Sequence, residues 1–266
     1  MYFDSFINSY SESLEEQYNR IRYNEHDDNE VPMTFILGAK CLEGVVMVAD
    51  KKVTIDCGAD FDYTDKLHGV LKHVIFGASG SPESFELFKG QAIDYIRTYP
   101  SGKKAITVDN IINKLSKFTY NINKKYKFSN VFAFDVLVGL QYNNQDSTLT
   151  YISQYGTPRP ISEFRIIGTG GKYAKIFMKM IWNNKMSIKE TAELGYFILK
   201  YIENFELDFT VGVGNNKPEI WYIPNRYTDH ERNDIHASEE QLEIFKKKTE
   251  KRLDNHVAHL KELFKI

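Results

Sequence analysis

The chain has 266 residues, 42% of them hydrophobic and 14% aromatic, with a formal charge of −2. That is enough apolar material for one domain with a large core, and the balanced charge excludes a global attraction to nucleic acid or to an anionic membrane. No run approaches the length of a membrane-spanning helix, and the cysteines, Cys41 and Cys57, offer neither a disulfide framework nor a metal spacing.

The first residues, MYFDSFINSYSESLEE, are polar and acidic where a signal peptide would be basic and then apolar, so a cytoplasmic location is expected. Phe3, Phe6, Ile7, Tyr10, Leu14, Tyr18 and Ile21 recur at the spacing of one helix face, which predicts an amphipathic helix. The charged stretch NEHDDNEVP reads as an exposed linker that ends just before Thr34. Residues 1–33 therefore form one unit, residues 34–227 the folded domain, and residues 228–266 a helical extension.

Residues 34–40 and 44–50 read as a strand pair, apolar throughout as expected of strands buried on both faces. A strand near residues 70–78 follows, then a helix entered at Ser81 and Pro82 and running to Tyr99. A second helix spans Val108 to about Lys125. The segments VFAFDVLVGLQY and STLTYISQY make a hairpin across NNQD. A short strand FRIIG meets GTGGKYA, and a helix continues through Ile181. Ser187 and Glu190 form a capping-box pattern for the next helix, and FTVGV and EIWYI read as the last strands. Leu242, Phe245, Leu253, Val257, Leu260 and Phe264 mark a long amphipathic helix whose partner, its own domain or another subunit, the pattern does not specify. Two blocks of strands, each followed by a pair of helices, predict an α+β sandwich of four layers, αββα.

Chemistry concentrates at three strand ends. Thr34 opens TFILGAK, Asp50 ends GVVMVAD, and Lys66 lies in YTDKLHG just before the next apolar run. A threonine hydroxyl is a weak nucleophile until a base and a cation stand beside it, and this spacing supplies the cation and its acidic partner. The competing reading is a buried salt bridge kept for packing. Other signals are weaker. GTGGK lacks P-loop spacing and reads as a tight strand-to-helix turn. Asp56, Asp60, Asp62 and Asp65 lack EF-hand spacing and read as a solvated loop; the histidines include no HExxH pair, with His68 and His73 placed on strand edges. Lys124, Lys125 and Lys127 read as a solvated helix end.

From Thr34 to Gly80, and on through VFAFDVLVGLQY, IGTGGKYA and ELDFTVGVG, the chain resembles the 20S proteasome subunits, the β type in particular. The resemblance implies the N-terminal-nucleophile (Ntn) hydrolase sandwich and assembly into rings with like or related subunits. It assigns Thr34 as nucleophile, its α-amine as base once residues 1–33 are removed, Lys66 as the stabilising cation and Asp50 as the partner that keeps Lys66 charged. Gly80 matches the oxyanion-hole glycine and Ala78 the floor of the specificity pocket, with room for a medium or large apolar side chain. Thr169 stands in place of a serine, and Asp208 matches the aspartate that orients the amine. The implied substrate is a peptide or unfolded protein, and the chemistry calls for no cofactor and no metal. Two positions depart from the family pattern. Val211 replaces a second supporting serine, and Met33 stands where a glycine usually precedes the cut. A threonine peptidase, a non-catalytic subunit with its N-terminal segment retained, and an amide-transferring Ntn enzyme therefore all remain open.

Overall fold

The computed structural model describes residues 34–55, 60–71, 73–98, 107–126, 133–142, 146–208, 211–214, 217–225 and 236–264. The helix expected over residues 3–21, the linker after it, Cys57 and Lys127 lie outside the described residues.

Strands β1 (Ile36–Lys40) and β2 (Gly44–Ala49) form the expected hairpin, with Ile36 opposite Ala49 and Lys40 opposite Val45. Their apolar runs are unbroken because both faces are covered. Phe35, Leu37, Ala39, Val46 and Val48 join one buried cluster, while Ile36, Val45, Met47 and Ala49 join another. That alternation is the two-residue period of a strand placed between two layers.

After the two-stranded ribbon β3 (Lys52–Ile55) and β4 (Asp60–Tyr63) come β5 (Leu67–Val70) and β6 (Val74–Gly80). Two expectations are corrected here. Asp60 and Asp62 belong to β4 rather than to a solvated loop, since Asp-Phe-Asp-Tyr carries the alternation of a strand facing Lys-Val-Thr-Ile. The single strand expected near residues 70–78 is a hairpin, turned at Leu71, whose φ is +53°.

Helix α1 (Pro82–Thr98) starts where Ser81 caps it, the hydroxyl accepting the Ser84 N–H at 3.2 Å, and buries Phe85, Phe88, Ala92 and Ile96. Helix α2 (Val108–Lys125) opens on a Thr107–Asn110 capping box. Strands β7 (Phe134–Leu140), β8 (Thr148–Ile152), β9 (Pro158–Ile161) and β10 (Phe164–Ile167) follow. Helix α3 (Gly171–Ile181), α4 (Ile188–Asn204, with the expected Ser187–Glu190 capping box), β11 (Glu219–Pro224) and α5 (Glu239–Phe264) complete the described chain. No described helix is long and apolar enough to cross a membrane.

One antiparallel sheet has the order β10-β1-β2-β11 and the other β5-β6-β7-β8-β9. Ile36, Met47, Leu67, Ile75, Leu137, Leu149 and Ile167 fill the space between the sheets. The second sheet packs its far face on α1 and α2 through Phe76, Phe88, Leu115 and Phe134, and the first packs on α3 and α4 through Leu37, Val48, Met178 and Leu199. The four-layer αββα arrangement is thus observed. Helix α5 lies on α4 of its own chain: Phe245 and Leu253 are buried, Glu193 of α4 pairs with Lys248 and Arg252, and His256 shares a hydrogen bond with Tyr201. Just before α5, the Ala237 N–H donates to Ile220 O at 2.8 Å and covers part of the β11 edge.

Candidate active site

The β1–β2 register carries one residue past the strand ends. The Asp50 N–H donates to Phe35 O at 3.1 Å, and the Phe35 N–H donates to Asp50 Oδ1 at 2.9 Å. Thr34, immediately before, is 6% exposed and shares the strand parity of Ile36, toward the second sheet. On its other flank Gly168, with φ +92°, lies so close that an added Cβ would sit 1.7 Å from the Thr34 carbonyl oxygen. Only glycine serves there.

Lys66 precedes β5 and crosses to the first sheet, donating from Nζ to Asp50 Oδ1 at 2.6 Å and to Lys52 O at 2.6 Å. Its side chain is 6% exposed and that of Asp50 is 0% exposed, so the pair is buried. Burial pushes the Asp50 carboxyl up from the ordinary carboxylate value and the Lys66 ammonium down from the ordinary lysine value; each shift is opposed by the partner's charge and by the hydrogen bond between them. Burial therefore works against the charge that pairing with Asp50 favours on Lys66.

Three residues that the sequence reading left without a role build the surroundings. Glu219, the first residue of β11, accepts the Lys66 N–H at 2.5 Å and the Leu67 N–H at 3.2 Å through Oε2. Its only sequence signal is an acid opening an otherwise apolar strand. Gly212 donates to Asp50 Oδ2 at 3.4 Å while its carbonyl accepts the Lys51 and Lys52 N–H groups, each at 3.1 Å. Glu203 holds the same loop by accepting the Val213 and Gly214 N–H groups at 2.8 and 2.9 Å. These bonds explain a further correction: Val211–Val213, read as a strand in FTVGV, are irregular, because their backbone groups serve side chains and the 51–52 segment instead of a ladder.

Gly80 ends β6 with φ +139°. The Ser81 N–H donates to Ala133 O at 3.2 Å and Gly80 faces Phe134, so Gly80 and Phe134 are a non-hydrogen-bonded pair, and the Gly80 N–H turns away from β7 toward the side from which Lys66 comes. Ala78 lies one position past the Gly77–Leu67 pair, in register with Lys66, and is 8% exposed, in the buried cluster that also holds Phe76 and Phe85. Thr169 sits in the turn between β10 and α3, and Asp208 follows α4, where its carbonyl accepts the Val211 N–H at 3.1 Å. Both are half-buried. Val211 is 2% exposed, and an added Cβ on Gly170 would meet its Cγ2 at 2.6 Å. Thus Thr34, Asp50 and Lys66 share one strand-end cluster, with Gly80 and Ala78 on the neighbouring strand. Among the described residues there is no group of acids, histidines or cysteines arranged to hold a metal ion.

Two antiparallel sheets between helical layers, with a threonine, a buried aspartate and a buried lysine at adjoining strand ends, define the proteasome-like class of Ntn folds. The proteasome subunit profile matches residues 34–208, and the chain belongs to that family. Among solved structures it is similar to Anbu (ancestral beta-subunit) from Yersinia bercovieri, at 11% identity and a TM-score of 0.67, covering 84% of this chain and 97% of that one. It is also similar to the Anbu (Gly-1) mutant from Hyphomicrobium sp. strain MC1, at 13% identity and a TM-score of 0.65, covering 85% and 97%. No curated protein matches the sequence.

Proposed function

We propose that this proteasome-fold subunit is a threonine-type peptidase that cuts peptides or unfolded proteins with Thr34, once the Met33–Thr34 bond is broken, inside a ring built with like or related subunits. The observation that carries this reading is the buried Lys66–Asp50 pair at 2.6 Å beside Thr34, an arrangement whose burial penalty is hard to justify by packing alone. In the released form the α-amine of Thr34, a group that titrates at about 7.7–8.0 in peptides, takes the hydroxyl proton as Oγ attacks the scissile carbonyl. Lys66 stabilises the negative charge. The Gly80 N–H donates to the oxyanion, a contribution typically of about 2.7–4 kcal/mol to the barrier. The amine passes its proton to the leaving nitrogen, and water then hydrolyses the Thr34 ester by the same route. Ala78 would accommodate a medium or large apolar substrate side chain.

The test is turnover of a fluorogenic peptide by a form beginning at Thr34, compared with its Thr34→Ala variant. Turnover lost in the variant supports the reading, and zero turnover in both removes it. Light scattering at micromolar concentration checks the assembly, and a monomer would overturn that part.

A second reading, a non-catalytic subunit that shapes a ring, is favoured by Val211. This side chain is buried against Gly170 and has nothing to offer the nitrogen of Thr34, which stays a non-basic amide while Met33 is attached. Intact-mass measurement on protein from cells separates the two: residues 34–266 support the peptidase, and a retained N-terminal segment supports the scaffold.

A further inference from the structure

We infer that Glu219 is a positioning residue for Lys66, holding the start of β5 against the sheet that carries Thr34 and Asp50 and giving the lysine a second negative neighbour. The inference rests on the reading that Lys66 serves Thr34. Glu219 faces Ala49, one residue before Asp50, at the head of β11, and it is 7% exposed. Its Oε2 takes two successive backbone N–H groups, Lys66 at 2.5 Å and Leu67 at 3.2 Å, across the gap between the two sheets. β5 is an edge strand of only four residues, so the chain entering it has little ladder to fix it. A carboxylate is more than two N–H groups require, since a glutamine oxygen accepts the same bonds.

The charge is the informative part. The Glu219 carboxylate raises the proton affinity of Lys66 together with Asp50, against burial. Burial pushes the Glu219 carboxyl itself up to about 7, with Asp65 adding to the rise and Lys51 opposing it. The Lys66 and Leu67 N–H groups oppose the rise as well, and the charged side chains acting on it, Lys51 and Asp65, pair with each other at 2.6 Å. Near neutral pH this makes the second negative charge on Lys66 itself dependent on pH.

The test is a titration of Lys66 in the full chain, labelled with ¹³C at lysine Cε and assigned by the signal missing from Lys66→Arg. Glu219→Gln keeps both N–H acceptors and removes the charge. It is expected to melt as a folded protein while the Lys66 midpoint moves to lower pH. Glu219→Leu removes both and is expected to lose thermal stability as well. In the form beginning at Thr34, Glu219→Gln is expected to lower kcat with KM unchanged and to shift the alkaline limb of the rate profile downward. An unchanged Lys66 midpoint in Glu219→Gln overturns the inference. If the Thr34 form is inactive, the peptidase reading falls, and the titration still decides the role of Glu219.

Discussion

Replacing Asp50 by alanine isolates what the buried pair costs. Lys66 would lose its charge partner in a site where its side chain is 6% exposed, and the Phe35 N–H would lose its 2.9 Å acceptor. Removing one partner of a buried pair costs about 3–5 kcal/mol, and an orphaned buried N–H about 1–3 kcal/mol more, so a loss of at least about 4 kcal/mol is expected at pH 7. The loss has a sign in pH. Without Asp50 the folded-state pKa of Lys66 falls further below its unfolded value of about 10.4, so the folded state binds fewer protons than the unfolded state across that window, and stability rises with pH through it. Urea denaturation at pH 7 and pH 10 should therefore show a larger deficit for Asp50→Ala at pH 7. The double variant Asp50→Leu, Lys66→Met should recover most of the loss, because two apolar side chains replace two desolvated charges. A deficit equal at both pH values, or a double variant no better than the single one, would refute the account. Full recovery in the double variant would also show that the pair is not retained for stability, which removes the packing explanation for it.

Two further changes test the frame around the site. Gly168→Ala places a Cβ at φ +92° and 1.7 Å from the Thr34 carbonyl oxygen; a loss of at least about 3 kcal/mol by denaturation is expected, and wild-type stability would contradict the close approach. In the docking of α5, Phe245→Ala should cost about 3–5 kcal/mol because the ring is 2% exposed. Glu193→Ala should cost only about 1 kcal/mol, since the Lys248 and Arg252 side chains it pairs with are 48% and 53% exposed. The reverse order in thermal melts would mean that ion pairing, not apolar burial, holds the helix.

What the sequence revealed divides along physical lines. Helix α2 and the capped start of α4 were legible because caps and helical periodicity are local properties, set within a few residues of Thr107 and Ser187. The β1–β2 hairpin was legible because burial on both faces leaves an unbroken apolar run. Strand β9 was hidden because Pro158 and Pro160 argue against a central strand; it is tolerated as the edge of its sheet, where a missing donor costs little. Helix α5 showed its apolar stripe but not its partner, because a stripe states that a face is covered and not by what.

The site itself was legible only in its chemical residues. Asp50 accepts from Gly212 162 positions away, and Glu219 reaches Lys66 across 153, so no window of sequence contains either contact. A common device unites them. Where strands end at the rim of the sandwich, ladder bonds run out and backbone N–H groups still need acceptors. Asp50, Glu203 and Glu219 each take two such groups: Phe35 and Gly212, Val213 and Gly214, Lys66 and Leu67. Glu203 fixes the loop that supplies Gly212, Gly212 helps to orient Asp50, Asp50 binds the ammonium of Lys66, and Glu219 binds the backbone of the same lysine. The lysine is thereby held at both its chain and its tip by groups from one sheet while it belongs to the approach of the other. That fixes its Nζ more tightly than the Asp50 contact alone would.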